Sequence, residues 1–313
     1  MPLHHIPVML REAVFYLNCR PGKVFIDCTL GGSGHAAAIL ERIEPDGLLI
    51  GIDQDIDAVH NAERILEPRY ASNFRLFHDN FTQLPEIVRH LGIPAVDGIL
   101  LDLGLSLHQL ESSGRGFSFQ GNEPLDMRMN TASSLTAGQI VNQADAQRLA
   151  DIFRRYGEER WARPIARRIV EARQQVTLSS TEQLARIVSD VIPKRAVAGQ
   201  RIHPATRVFM ALRIAVNREL ECLDLLMQHI PALLNSGGRF CALAFHSLED
   251  RIVKQHLKSF EKGCVCPPDF PVCTCGRQPL LRILTRRVHR PAPAEVSANP
   301  MARSTRLRAA ERL

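Results

Sequence analysis

The protein is a chain of 313 residues, enough for one large core or for a core with a smaller satellite domain. Its 45% hydrophobic and 23% charged residues, with no apolar run of the ~18 residues a membrane helix needs and no signal-peptide stretch in Met1 to Asn18, exclude a helical span and predict a soluble cytoplasmic protein. The net charge of +6 is uneven: residues 151–218 hold 14 Lys/Arg against 6 Asp/Glu and residues 277–313 hold 9 against 2, on a remainder that is acidic.

Strand and helix signals alternate through the first hundred residues. Val24-Phe25-Ile26 reads as a short buried strand running into a glycine-rich turn, and Ala36 to Ile43 as a helix. Leu48 to Ile52 is a second strand that ends at Asp53. A helix from Asp57 to Leu66, a strand at Phe74 to Phe77 and a helix around Leu84 to His90 follow. The fourth strand, Gly98 to Leu101, ends at Asp102. This spacing predicts right-handed crossovers and a parallel sheet.

After Ser106 the alternation stops. Residues 108–134, rich in Gly, Ser and Asn, predict a long functional loop. From Ala137 to about Val191 apolar residues recur three and four apart (Leu149, Ile152, Phe153, Ile165, Ile169), which predicts helices. Ala205 to Leu234 predicts one helix or two, stopped at Ser236-Gly237-Gly238. Arg239 to Phe245 is a fifth buried strand, and a last strand is expected near Leu281 to Val288. The expected architecture is α/β: a Rossmann-like, mostly parallel sheet over residues 1–106 and 205–290, interrupted by a helical insertion at 107–204. Residues 291–313, with Pro-Ala-Pro-Ala and scattered Arg, are expected to form a basic C-terminal arm.

Three segments carry candidate chemistry. Asp27 to His35 places glycines between strand and helix, where backbone approaches a ligand and helix N–H groups face it. Asp53 closes the next strand, where dinucleotide folds keep the acid that takes ribose hydroxyls. Gly32 to Ala37 also fits the NAD fingerprint G-x-G-x-x-A. Asp27, just before the glycines, favours S-adenosylmethionine, because a carboxylate there repels a pyrophosphate but suits an ammonium group. Asp102 and Ser106, beyond the fourth strand, point to the same crevice; a helix N-cap is the structural reading of Asp102. The Asn/Asp-Pro-Pro-aromatic motif of DNA amino-methyltransferases is absent. His246 follows the fifth strand, either to touch substrate or to orient a neighbour, while Ser247 with Asp250 spells a capping box.

Nine motifs then occur in order: D-x-T-x-G-G-x-G-H, I-D-x-D, G-I-L-L-D-L-G-L-S, R-G-F-S-F, P-L-D-M-R-M, Y-G-E-E-R, H-P-A-T-R, F-H-S-L-E-D-R-I-V-K and N-P-x-A-R-S. Together they resemble the bacterial small-subunit rRNA cytosine-N4-methyltransferase family over nearly the whole chain, from about His5. The resemblance implies a class I S-adenosylmethionine-dependent methyltransferase fold with an inserted helical substrate-recognition domain. It implies methyl transfer to the exocyclic N4 of a cytosine in the decoding region of 16S rRNA, in the small ribosomal subunit. By position it implies cofactor contacts at Ser33, Gly34, His35, Asp53, Phe81, Asp102 and Gln109. The departure is Gly104 to Glu111, G-L-S-L-H-Q-L-E where the family commonly reads G-V-S-S-x-Q-L-D.

For catalysis the candidates are Asp102, then Ser106 and His246. Phe117 and Phe119 either stack on a flipped base or anchor their loop. The basic segments offer phosphate contacts, with Arg303, Arg306 and Arg308 in the arm, or are solvated faces. Cys19, Cys28, Cys222 and Cys241 read as small buried hydrophobes. Cys264, Cys266, Cys273 and Cys275, spaced C-x-C-x6-C-x-C, form a zinc knuckle or remain reduced thiols; the expectation is that no metal is required. A nicotinamide dehydrogenase and a non-catalytic ribosome-assembly factor are the rival readings.

Overall fold

Both faces of the central sheet are covered, which is why its strands read as apolar runs rather than as alternating ones. In the computed structural model, which describes residues 7–193, 195, 203–267, 270–272 and 274–313, the strands are β1 (Val24–Asp27), β2 (Leu48–Asp53), β3 (Phe74–His78), β4 (Val96–Asp102), β5 (Leu234–Ala244), β6 (Leu281–Ile283) and β7 (Arg306–Arg312). Their order is β3-β2-β1-β4-β5-β7-β6. β1 to β5 run parallel, and β7 runs antiparallel to both β5 and β6. The order reverses between β1 and β4, so a ligand crevice belongs at their carboxyl ends. This is the Rossmann-like class I arrangement that the motifs imply.

The helices in chain order are α1 (Leu10–Leu17), α2 (Gly34–Ile43), α3 (Ile56–Tyr70), α4 (Leu84–His90), α5 (Leu107–Glu111), α6 (Ala137–Gln143), α7 (Ala146–Gly157), α8 (Ala162–Arg173), α9 (Thr181–Val191), α10 (Thr206–Asn217), α11 (Glu219–Leu233), α12 (Ser247–Lys262) and α13 (Pro293–Ala298). Met1–Gly104 with Leu220–Leu313 make one compact unit and Leu105–Glu219 the other.

In the sheet unit, Phe25, Leu49, Leu100 and Leu243 pack against Leu17, Ile39 and Leu66 of α1, α2 and α3. On the opposite face Ile26, Ile50, Ile99 and Phe240 meet Leu84, Leu226 and Val253 of α4, α11 and α12. Each such fully buried side chain stabilises the fold by roughly 1.5–3 kcal/mol. No helix of the described residues is long and apolar enough to cross a membrane.

The helical unit has its own core, in which Leu149 and Phe153 of α7 meet Ile165 and Ile169 of α8, Leu184 and Val188 of α9, and Phe209 and Leu212 of α10. The spacing of three and four that predicts these helices is the spacing that buries them. Thr136 with Gln139 and Ser180 with Gln183 close reciprocal capping boxes on α6 and α9. Among the described residues no strand falls in 105–219, only an isolated bridge from Pro124 to Ser180.

Four expectations need correction. The helical unit does not end at residue 204. Ala205, Val208, Phe209 and Leu212 are buried in its core, and the break comes at Arg218, left-handed at φ +53° between α10 and α11. Its start falls at Leu105 rather than residue 107. Ser236-Gly237-Gly238 does not stop a helix but lies inside β5, where the pairing with β4 shifts register. Residues 291–313 are not a free arm: β7 is an inner strand, with Leu307, Ala309 and Ala310 buried. The strand expected near Leu281 to Val288 is only Leu281–Ile283, and β7 completes the sheet.

Candidate functional site

Asp27, Asp53 and Asp102 end the adjacent strands β1, β2 and β4. Asp27 is fully buried; its Oδ1 accepts the Thr29 N–H at 3.1 Å, and its Oδ2 has no partner within the protein. Asp53 holds the glycine turn, its two oxygens accepting the N–H groups of Gly31 at 3.0 Å and of Asp55 at 2.9 Å. The Asp102 N–H donates to Thr29 Oγ1 at 2.7 Å, so one threonine ties β1 to β4. Asp102 Oδ1 is also buried without a partner. The helix-cap reading of Asp102 does not hold, because the cap of α5 is Ser106.

His35, in the first turn of α2, is buried between two acceptors. Its Nε2 lies 3.1 Å from the Val8 carbonyl and its Nδ1 lies 3.4 Å from Asp102 Oδ2. A carbonyl and a carboxylate both require N–H, so the ring satisfies both only as an imidazolium. Burial alone lowers its pKa, but the bond to Asp102 and the charges of Asp102 and Asp27 outweigh it and the net shift is upward. Burial pushes Asp27 up to about 7, opposed chiefly by His35, and Asp53 up to about 6, opposed by its backbone bonds. A crowded set of half-ionised acids favours a cationic ligand, which supplies the charge that solvent no longer does.

The glycine turn has no slack. Ser33, left-handed at φ +64°, is buried with its Oγ unpartnered, and a Cβ on Gly34 would stand 2.6 Å from Pro7 Cγ. A Cβ on Gly104, at φ +105°, would stand 3.2 Å from the Phe245 ring. Phe81, beginning the single turn Phe81–Gln83, is buried in the apolar layer with Leu84 and Ile52. The structure thus links Asp27, Ser33, Gly34, His35, Asp53 and Asp102 through one turn.

His246 takes a different place. It is itself the N-cap of α12, with Nδ1 accepting the Glu249 N–H at 3.4 Å while Glu249 Oε2 accepts the N–H groups of Phe245 and His246. Its Nε2 lies 3.0 Å from Glu249 Oε1 without forming a hydrogen bond. The capping box is therefore His246 with Glu249, not Ser247 with Asp250. Asp250 instead pairs with Arg308 at 2.6 Å and Arg306 at 3.3 Å, so these arginines close the sheet rather than reaching out from an arm.

Ser106 and Gln109 belong to the helical unit, and their side chains close a reciprocal box at the start of α5, at 3.2 and 3.0 Å. Phe117 is buried under the Arg115 guanidinium; Phe119 stacks on His203 and meets Phe209 edge-on. Both anchor their loop, as the structural alternative for these rings expects. Sequence reasoning gave no role to Thr29 or Glu249; a hydroxyl two residues after a strand-ending acid, and an acid three after a strand-ending histidine, are the signals that were available.

A model of the MraW methylase family matches residues 2–313. The chain is 53% identical over 313 residues, 100% of both chains, to the ribosomal RNA small subunit methyltransferase H of Desulforapulum autotrophicum, and equally to that of Desulfosudis oleivorans. It is 50% identical over 309 residues, 99% of this chain and 98% of the relative, to the protein of the same name from Syntrophotalea carbinolica.

Proposed function

Since the chain belongs to the MraW methylase family, we propose that it transfers a methyl group from S-adenosylmethionine to the exocyclic N4 of a cytosine in the decoding region of 16S rRNA, with the small ribosomal subunit as its partner. Full-length identity of 53% to small-subunit rRNA methyltransferases supports the substrate class. The observation that carries the cofactor assignment is the clustering of unpartnered buried atoms, Asp27 Oδ2, Ser33 Oγ and Asp102 Oδ1, around one glycine turn. They fit a ligand with an ammonium and a sulfonium charge. A dinucleotide pyrophosphate would add anions to acids already pushed toward protonation, which argues against the dehydrogenase reading.

When bound, S-adenosylmethionine supplies a methyl group activated on a sulfonium. Asp53 would take the ribose hydroxyls, Asp27 and Ser33 would hold the methionine end, and Phe81 would contribute an apolar wall. Gly34 lets backbone N–H groups approach. His35, between the Val8 carbonyl and Asp102, would position the Asp102 carboxylate, whose unpartnered Oδ1 would accept the proton that the amine loses. That amine is a weak nucleophile, its lone pair shared with the ring, so alignment supplies much of the acceleration. Ser106 with Gln109 caps α5, and His246 caps α12. The helical unit, with its excess of arginines, would supply RNA contacts. The test is mass spectrometry of 16S rRNA nucleosides from cells lacking and regaining the gene. Loss and return of N4-methylcytidine is expected; an unchanged nucleoside profile overturns the proposal.

A further inference from the structure

We propose that Cys264, Cys266 and Cys275 hold a zinc ion that staples the loop between α12 and β6. Their three Sγ atoms lie within 4.8 Å of one another. Those of Cys264 and Cys275 are 3.8 Å apart. A disulfide requires about 2.0 Å. Two thiolates on one tetrahedral zinc, each about 2.3 Å from the metal, stand about 3.8 Å from each other. The observed separation is the edge of a zinc–thiolate tetrahedron and nearly twice an S–S bond. The Thr274 N–H donates to Cys266 Sγ at 3.4 Å, a bond that disperses the negative charge thiolates gather around a metal.

The loop, in its described residues, has little apolar burial to order it. Its base is closed, since the Leu280 N–H donates to the Phe260 carbonyl at 2.8 Å. Gly263, at φ +66°, packs so tightly there that a Cβ would stand 2.5 Å from the Gln278 carbonyl carbon. Between these points Val265, Phe270 and Val272 are 54%, 51% and 70% exposed, so apolar burial does not hold the segment. A long connection with no core of its own loses chain entropy with nothing to offset it, unless a cross-link closes it.

Thiolates are soft ligands and select zinc over magnesium or calcium. Binding exchanges the thiol protons for the metal, so those protons leave to solvent. Cys273 lies outside the described residues. The geometry thus reverses the preference for reduced thiols that spacing alone suggests. The site is far in sequence from the strand-end acids, and its test is independent of methyl transfer.

Elemental analysis of the full chain, purified under reducing conditions without chelator, should find about one zinc per chain. The Cys264→Ser/Cys275→Ser double variant should lose it. A second reading uses the wild-type chain alone, so a variant that fails to fold does not decide the matter. Cobalt(II) replacing zinc should give intense thiolate-to-cobalt charge-transfer absorption. Protein that takes up neither metal, cobalt bound without that absorption, or a Cys264–Cys275 disulfide in protein quenched from cells would overturn the proposal.

Discussion

Arg115, buried in the helical unit, donates its guanidinium to the carbonyls of Arg128 and Met129. Asp27, buried deeper in the sheet unit, leaves one carboxylate oxygen with no partner. The contrast extends through both units. Among the described residues, the buried side-chain atoms without a hydrogen-bond partner are on Asp27, Ser33, Asp102, Arg239, His246 and Thr305, all in the sheet unit. The helical unit spends its polar groups on itself, as in the Asp126–Arg128 pair, the Arg213–Glu219 pair, and Asn217 donating to the Met127 carbonyl. An unpaired buried polar atom costs about 1–3 kcal/mol. Three such atoms around one turn mark a place built for a ligand, whereas a fully paired unit is built to hold its shape.

That contrast breaks first at Asp27. In the fold its carboxyl keeps its proton up to about pH 7, against 3.8 for an ordinary aspartate. Between those values the folded state binds the extra proton, so stability falls as pH rises from about 4 to about 7. Asp27→Asn should therefore stabilise the ligand-free protein at about pH 8, by an amount on the order of 4 kcal/mol, while weakening S-adenosylmethionine. Urea unfolding at about pH 5 and pH 8 measures this, and a variant less stable at both would make Asp27 a structural residue.

Asp250 belongs to the same unit but is fully paired. Replacing it by Ala leaves Arg306 and Arg308 partly buried without their acid, and should cost about 3 kcal/mol in urea, with cofactor affinity intact in the folded fraction. A flattened salt dependence of RNA binding with no loss of stability would return these arginines to the RNA.

On the proposed ribose contact, Asp53→Ala would remove charge-assisted bonds worth at least about 1.5–3 kcal/mol, so titration calorimetry should show S-adenosylmethionine binding at least tenfold weaker. Unaltered affinity would remove Asp53 from the site. Smallest is Ser180→Ala in the helical unit, which loses one capping bond and about 1 kcal/mol. It should leave cofactor affinity where it was, and a coupled loss would mean that the helical unit is not self-sufficient.

Much of this contrast was legible in the chain. β1, β2 and β4 are apolar runs that end in Asp27, Asp53 and Asp102, because strands buried on both faces need no alternation and stop where a polar group reaches the sheet edge. The helices from Ala137 to Val191 followed from their spacing. His246 was harder: Ser and Asp are the usual capping pair, and only the backbone at φ −136°, ψ 167° shows that the cap comes one residue earlier. Cys28 and Cys241 read correctly as buried hydrophobes, and burial keeps both thiols protonated.

By itself the sequence determined the parallel sheet, the glycine turn with its acids and the helical character of the insertion, because each rests on short-range periodicity or on neighbours in the chain. Tertiary structure decided the rest. Arg306–Arg312 carries three arginines in seven residues and reads as a solvated arm, yet it becomes an inner strand once Asp250 takes Arg306 and Arg308, and Glu311 takes Arg239. Whether a charged segment is arm or strand depends on acids that lie some 60 residues away in the chain, since Asp250 and Arg308 are 58 apart. The same holds for His35. Its sequence context shows a histidine after a glycine, and only the fold sets it between a carbonyl and a carboxylate, which shifts its pKa upward.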